Sequence, residues 1–298
     1  MRARSLSLMI IAALVISGCA TSRPAGTISA ASISPPTHST RDLVRLPLPA
    51  GPISVAVYGL RDQTGQYKPS PDSSFSTSVT QGAASLLITA LRDSRWFKPV
   101  ERENLQDLLT ERKIIRALEI PQDKAQVQLP ALRPANLIIE GAIIAYESNV
   151  RTGGAGVRYL GIGPSDTYRQ DQVTVNLRAV DIRTGDIIQS VTTTKTIFSI
   201  QMDFGVFKYV SYQHLLEIET GFSQNEPVQQ CVREAIENGL IHLIAQGARD
   251  GSWSLKNPDD LNKPLLQRYL QAYDEQTTLS PKGPENAGKS GTGEPHES

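Results

Sequence analysis

The sequence predicts an α+β chain: a periplasmic α/β domain that contributes two amphipathic β-hairpins, four strands in all, to an oligomeric transmembrane β-barrel. Three observations carry this. Helically spaced apolar stripes interleave with β-branched runs through the middle of the chain. Two further stretches alternate apolar and polar residues over lengths suited to a membrane strand. The first nineteen residues, finally, have the plan of a bacterial lipoprotein signal.

That signal comes first in the chain. Basic Arg2 and Arg4 precede an apolar run from Leu6 to Ile16, which closes on Ile16-Ser17-Gly18-Cys19. A cysteine behind a small residue is the mark of a lipobox, so residues 1–18 are expected to be a signal peptide and Cys19 the lipidation site. An ordinary signal peptide beside a coincidental cysteine is the alternative. The run is shorter than the ~20 residues a helical span needs. Ala20 rather than Asp after the cysteine favours release to the outer membrane, lipid-anchored, by the usual sorting rule. Residues 19–45 are rich in Ser, Thr, Pro and Ala, cannot bury enough surface to fold alone, and are expected to be a tether from the lipid.

The expected domain covers residues 46–257. It opens on the alternating strand Ile53-Ser-Val-Ala-Val-Tyr-Gly-Leu60, followed by a polar loop from Arg61 to Ser74 with Gly65, Pro69 and Pro71. Val79, Ala83, Leu86, Leu87 and Leu91 predict a helix within Thr77 to Leu91, and Leu105, Leu108, Leu109 and Ile115 predict another within Asn104 to Ala117. Leu137 to Ala145 reads as a second strand. Further on, Asn225 can cap a helix with Pro227 in its first turn, and Val228, Cys231, Val232, Ala235, Ile236, Leu240, Leu243 and Ile244 form its stripe before Gly247. A short C-terminal helix is expected at 258–275 and a disordered tail at 276–298.

The two remaining segments point to a membrane. Thr196, Phe198, Ile200, Met202, Phe204 and Val206 occupy even positions, with Ser199, Gln201, Asp203 and Gly205 between them. A turn near Val210 to Gln213 is expected, after which Leu216, Ile218, Thr220 and Phe222 alternate with Glu217, Glu219 and Gly221. Parity thus assigns Phe198, Ile200, Met202, Phe204, Ile218 and Phe222 to lipid, and Gln201, Asp203, Glu217 and Glu219 to a cation-preferring lumen, within a hairpin at about 190–224. The other hairpin, about 146–180, has a clean return limb in Val173, Val175, Leu177 and Ala179; Gly153, Gly154 and Gly156 suggest a bulge in its outgoing limb. The half-buried edge of a soluble sheet is the competing reading of such a pattern. Bilayers admit strands only as closed barrels, and the smallest need about eight strands, so four per chain require several copies to close one barrel.

Composition narrows the chemistry. Thirty basic and thirty acidic residues give a net charge of +0, which offers no electrostatic case for nucleic acid. With Cys19 taken by lipid, Cys231 has no disulfide partner in the chain and is expected to be buried on a helix face. Gly283-Pro-Glu-Asn-Ala-Gly288-Lys289-Ser290 has P-loop spacing but neither the preceding strand nor the following helix that cradle a phosphate. The glycines from Gly153 to Gly163 lack a dinucleotide setting. His38, His214, His242 and His296 are scattered without metal spacing, and His242 is expected at a helix surface. No catalytic residue, metal ligand or cofactor is therefore predicted, and the chain is not expected to be an enzyme.

The chain resembles the curli secretion channel family, CsgG. The runs that carry the resemblance are Tyr58 through Asp62-Gln-Thr-Gly-Gln-Tyr-Lys-Pro69, Phe75-Ser-Thr77, Leu91-Arg-Asp-Ser-Arg-Trp-Phe97, Glu111-Arg-Lys-Ile-Ile-Arg116, Tyr146-Glu-Ser-Asn-Val150, Val180 to Gly185 and Asn225-Glu-Pro-Val228. They extend from about Asp42 to Asn257. The resemblance implies a ring of nine subunits and a barrel of roughly 36 strands, a figure that belongs to the family and not to any pattern within this chain. It further implies passive, ATP-independent export of unfolded curli-type amyloid subunits, with a periplasmic cap protein and a surface nucleation partner.

The resemblance also implies that the loop after the first strand narrows the channel. Where the family presents Tyr, Asn and Phe, the aligned positions here are Ser70, Ser74 and Phe75. Only Phe75 matches, so the implied constriction has lost two of its bulky groups. A core position for Phe75 is the alternative. A structural lipoprotein of the same fold that anchors a surface appendage or adhesin and transports nothing is the rival functional reading, with an unrelated soluble periplasmic enzyme behind it.

Overall fold

The computed structural model describes residues 33–67, 77–118, 129–152, 167–202, 206–210 and 227–279. Met1–Pro35 forms one unit of the chain and Pro36–Ser298 another; every element below belongs to the second.

Its strands are β1 (Ile53–Ala56), β2 (Leu60–Asp62), β3 (Phe97–Val100), β4 (Leu137–Thr152), β5 (Thr167–Asp181), β6 (Ile187–Met202) and β7 (Val206–Val210). They form one mixed sheet in the order β3-β1-β4-β5-β6-β7, with β2 beside β4. The strand expected over Ile53–Leu60 is two pieces. Ala56 pairs with Ile138 and Leu60 with Gly141, so four steps along one chain match three along the other, and the surplus residue breaks the ladder at Val57–Gly59. Pro99 is tolerated in β3 because that strand is the sheet edge, paired only with β1 among the described residues.

Leu137–Ala145 and the outgoing limb of the first hairpin are one continuous strand, β4, antiparallel to β5 from Leu137↔Asp181 to Thr152↔Thr167. A bulge falls between Ile143 and Ala145. It leaves Ile139, Ile143 and Tyr146 all in the core and Ile144 45% exposed. In β5 the odd positions from Asp171 to Ala179 are buried, as the alternation in the sequence requires. At Gly141 the strands approach so closely that a Cβ would stand 2.0 Å from the Asn176 carbonyl oxygen.

The helices are α1 (His38–Val44), α2 (Ala83–Asp93), α3 (Leu105–Leu118), α4 (Pro227–Arg249) and α5 (Pro264–Leu279), with a 3₁₀ turn at Pro258–Asn262. α4 is central. One side lies on β5 and β6, and α1, α2 and α5 pack around the rest. This explains why Ile241 and Ala245, outside the expected stripe, are as fully buried as Cys231, Val232, Ile236, Leu240 and Leu243. Cys231 is a buried free thiol whose ionisation burial strongly suppresses, as its place on the stripe suggests.

The tether expectation for residues 19–45 needs correction at its C-terminal end. Thr37 and Thr40 form a capping box: the Thr37 hydroxyl accepts from Thr40 N at 2.9 Å, and the Thr40 hydroxyl accepts from Thr37 N at 3.0 Å. Both hydroxyls also donate to the Glu237 carboxylate of α4, at 2.5 Å and 2.9 Å. Arg233 completes the cluster with an ion pair of 2.9 Å to Glu237. A polar composition thus folds because its hydroxyls meet a buried carboxylate and Leu43 and Leu46 supply the apolar contact. At the other end α5 reaches Leu279, beyond position 276 where the tail was expected to start.

Gly247 lies inside α4, where Gly→Ala ordinarily stabilises by up to about 1 kcal/mol. Here a Cβ would stand 2.2 Å from the ring of Trp253, whose Nε1 donates to Ile244 O at 2.9 Å. Overpacking costs about 1–3 kcal/mol, so it outweighs propensity. Gly247→Ala is expected to lower the urea midpoint, and an unchanged or higher midpoint would contradict the contact.

His242, expected as a helix residue at the subunit surface, is half-buried. It is tucked beneath α5, edge-on to Tyr269 with ring centroids 5.0 Å apart, and its Nδ1 is buried without a hydrogen bond. Burial depresses its pKa to about 4. The unfolded chain therefore takes up this proton near pH 6.5 while the folded one resists until about 4. The associated stability is complete above the upper value and is lost as pH falls between the two, by up to about 3 kcal/mol. Denaturant titrations of His242→Phe are expected to have a flatter dependence on pH over this window than those of the wild type.

Candidate functional site

Two features stand out beyond the core. The first is a loop neck. After β2, the Asp62 carboxylate accepts from Thr64 N at 2.9 Å and from the Thr64 hydroxyl at 2.7 Å, which turns the chain sharply. Gln63 N donates to Ile143 O at 2.9 Å and Gln66 Nε2 to Tyr146 O at 2.7 Å, pinning the turn along β4. Tyr67 bridges antiparallel to Thr77, and Ser78 N donates to Gln66 O at 3.0 Å. The two ends of the loop bearing Ser70, Ser74 and Phe75 are thereby held together against the middle of β4. The three residues themselves lie outside the described residues, as do Cys19, Asp203, Phe204, Glu217, Glu219, Ile218 and Phe222.

The second feature is the length of the central strands. β4, β5 and β6 have 16, 15 and 16 residues, about 50 Å each at ~3.3 Å per residue. Asp171 in β5 and Ile197 in β6 are fully buried, and the sheet runs on past them, β5 to Thr167 beside β4 and β6 to Met202 beside β7. Phe198 pairs with Gln170 and Ile200 with Tyr168. Phe198, Ile200 and Met202 share the parity opposite to that of Ile197, which is fully buried; Gln201 has the parity of Ile197.

The turn of the second hairpin is placed differently from expectation. β7 pairs with β6 from Met202↔Val206 to Phe198↔Val210, so the chain has reversed by Val206 instead of near Val210 to Gln213. The strong β propensity of Val206-Phe-Lys-Tyr-Val210 makes this segment read as a continuation of the outgoing limb, when it is the return. The new register sets Lys208 across from Ile200.

At the foot of the extension, on the face shared with the core, lies a polar group that periodicity alone does not flag. Asp171 is fully buried. Its Oδ1 accepts from Tyr146 OH at 2.9 Å and from Arg169 Nε at 3.1 Å, and its Oδ2 stands 3.0 Å from the same nitrogen. One level below, Lys195 of β6 and Glu234 of α4 pair at 2.8 Å. The signal present in the sequence is a carboxylate at an odd position of β5, in line with Val173, Val175 and Leu177. Among the described residues no group of three His, Cys, Asp or Glu could hold a metal ion, and no helix is long and apolar enough to cross a membrane.

Comparison with known proteins agrees with the family resemblance. The pattern of the family described as curli production assembly/transport component CsgG matches residues 37–273. The protein of that name from Salmonella typhimurium is 48% identical over 267 residues, covering 89% of this chain and 96% of its own. Its counterpart from Citrobacter koseri is 47% identical over 265 residues, with coverage of 88% and 95%. The Escherichia coli K12 protein is likewise 47% identical, over 264 residues, with coverage of 88% and 95%. With the family pattern spanning most of the chain and relatives aligned nearly end to end, this chain belongs to the family of the curli production assembly/transport component CsgG.

Proposed function

We propose that the chain is one subunit of an outer-membrane channel, lipid-anchored through Cys19, that passes unfolded curli-type fibre subunits by passive, ATP-independent diffusion. The observation that carries this is the continuation of β4–β6 beyond the helix-covered core as a ladder with no described helix on it. Such an extension has two open edges. Among the described residues, β4 beyond Tyr146 has no strand on the side away from β5, and β7 has none on the side away from β6. An edge in hydrocarbon costs several kcal/mol per unsatisfied group, so copies must join edge to edge until the sheet closes. A ring of nine, the cap and nucleation partners and the barrel of the family belong to the same proposal.

The pinned loop neck supports a constriction, because a nine-residue segment between Tyr67 and Thr77 held at both ends can project as a ring when repeated around an axis. A polypeptide crossing in extended form needs a gap little wider than one strand and a surface that does not retain it. Single-channel recording of the purified lipoprotein in planar bilayers tests the whole reading. Ser70→Tyr is expected to lower conductance and Phe75→Ala to raise it. Conductance unaltered by either change would remove residues 61–75 from the gate and favour the appendage-anchoring reading.

A further inference from the structure

We propose that Arg169 presents a cationic ring at the foot of the lumen, which locally favours acidic over basic segments of the passing chain and opposes the cation preference that parity assigns to Asp203, Glu217 and Glu219. This rests on the channel reading above. Strand parity places the residue. Arg169 pairs with Val150 on one side and Ser199 on the other, and its position belongs to the series Arg169, Asp171, Val173, Val175. Asp171 and the two valines are fully buried. It is the face of Gln201, opposite to the parity of Phe198, Ile200 and Met202. If the apolar parity meets lipid, Arg169 faces water-filled space just beyond the last core layer.

The electrostatics are asymmetric. The Arg169 side chain is 37% exposed while its Asp171 partner is at 0%, so the pair turns its positive end outward and keeps its negative end in the protein. Tyr146 holds the carboxylate from the other side at 2.9 Å, and Asp171 Oδ2 accepts no hydrogen bond of its own. The carboxylate is therefore a positioning group whose charge, among the described residues, is met by the Arg169 guanidinium. Lys195 and Glu234 on the same face are both mostly buried and cancel each other at 2.8 Å. Arg178 and Glu140, also paired, lie on the other face. A guanidinium repeated in every subunit, beside low-dielectric walls, focuses the field on whatever occupies the lumen.

The test is the reversal potential of the full-length, lipidated oligomer in planar bilayers under a potassium chloride gradient. Arg169→Gln is expected to shift it toward the potassium equilibrium potential, and Arg169→Lys to leave most of the wild-type value. Asp171→Asn, which removes the hidden counter-charge, is expected to shift it in the chloride direction. Because Arg169→Gln strands a buried carboxylate and can block assembly, the double variant Arg169→Gln/Asp171→Asn provides the second measurement, with a shift toward potassium again expected. A reversal potential equal to wild type in the variants lacking Arg169 overturns the proposal, as does the loss of channels in both, which would assign the pair to folding alone. Absence of conductance in the wild type would instead overturn the channel reading itself.

Discussion

Ile200→Arg is expected to abolish assembly of the oligomer, while Gln201→Arg, one residue on, leaves it at wild-type levels. In the proposed barrel, arginine on the lipid face near the midplane costs ~2–4 kcal/mol, and the cost recurs in every subunit of the ring. Arginine on the lumen face stays in water. The two variants add the same side chain and the same charge at neighbouring positions of β6, so the change in net charge cancels in the comparison, and the small propensity difference between Ile and Gln is far below the cost of a charge in lipid. Outer-membrane fractions run on native gels measure the outcome. Equal behaviour of the two would mean that neither face of β6 meets lipid in the way proposed.

The second large effect lies far from the lumen. Glu237→Ala removes the buried carboxylate that receives both hydroxyls of the Thr37/Thr40 capping box and the Arg233 guanidinium. Removing one member of a buried ion pair costs about 3–5 kcal/mol, since the remaining charge is left in a poor solvent. The loss should appear as a lower urea midpoint and as more proteolytic cleavage around His38–Val44, because the cluster anchors the N-terminal end of α1, while Asp42, bonded to Arg268 and Tyr269 of α5, and buried Leu43 hold the rest of it. Glu237→Gln, which keeps one acceptor for the hydroxyls but not the charge, should fall between the two. If cleavage does not increase, the cluster is not what docks α1.

Much of the fold is legible in the order of residues alone. The stripe from Val228 to Ile244 marks the central helix, and the alternation of Val173, Val175, Leu177 and Ala179 marks the inner face of β5. Both signals are periodicities, and periodicity is what a sequence displays directly. What it conceals depends on long-range partners. Thr37 and Thr40 read as tether because their value lies in Glu237, two hundred residues away. His242 reads as surface because nothing local announces that Tyr269 covers it. Val206–Val210 reads as outgoing strand because propensity does not say which way a strand runs. Asp171 escapes notice because a carboxylate in a row of valines is intelligible only once Tyr146 and Arg169 are beside it.

The bulge at Ile144 gives β4 something like a reading frame. Below it, odd-numbered residues such as Ile139 and Ile143 belong to the core face; above it, even-numbered ones such as Tyr146 do, because one surplus residue has shifted the count. Everything from Tyr146 to Thr152 inherits that shift, including whichever positions border lipid and lumen. An odd insertion or deletion anywhere between the bulge and Thr152 would thus exchange the two surfaces of the remaining strand at a stroke, whereas an even one would only lengthen or shorten it. Relatives with hairpins of different reach should therefore differ there by pairs of residues, and any that differ by one should have gained or lost a bulge to match.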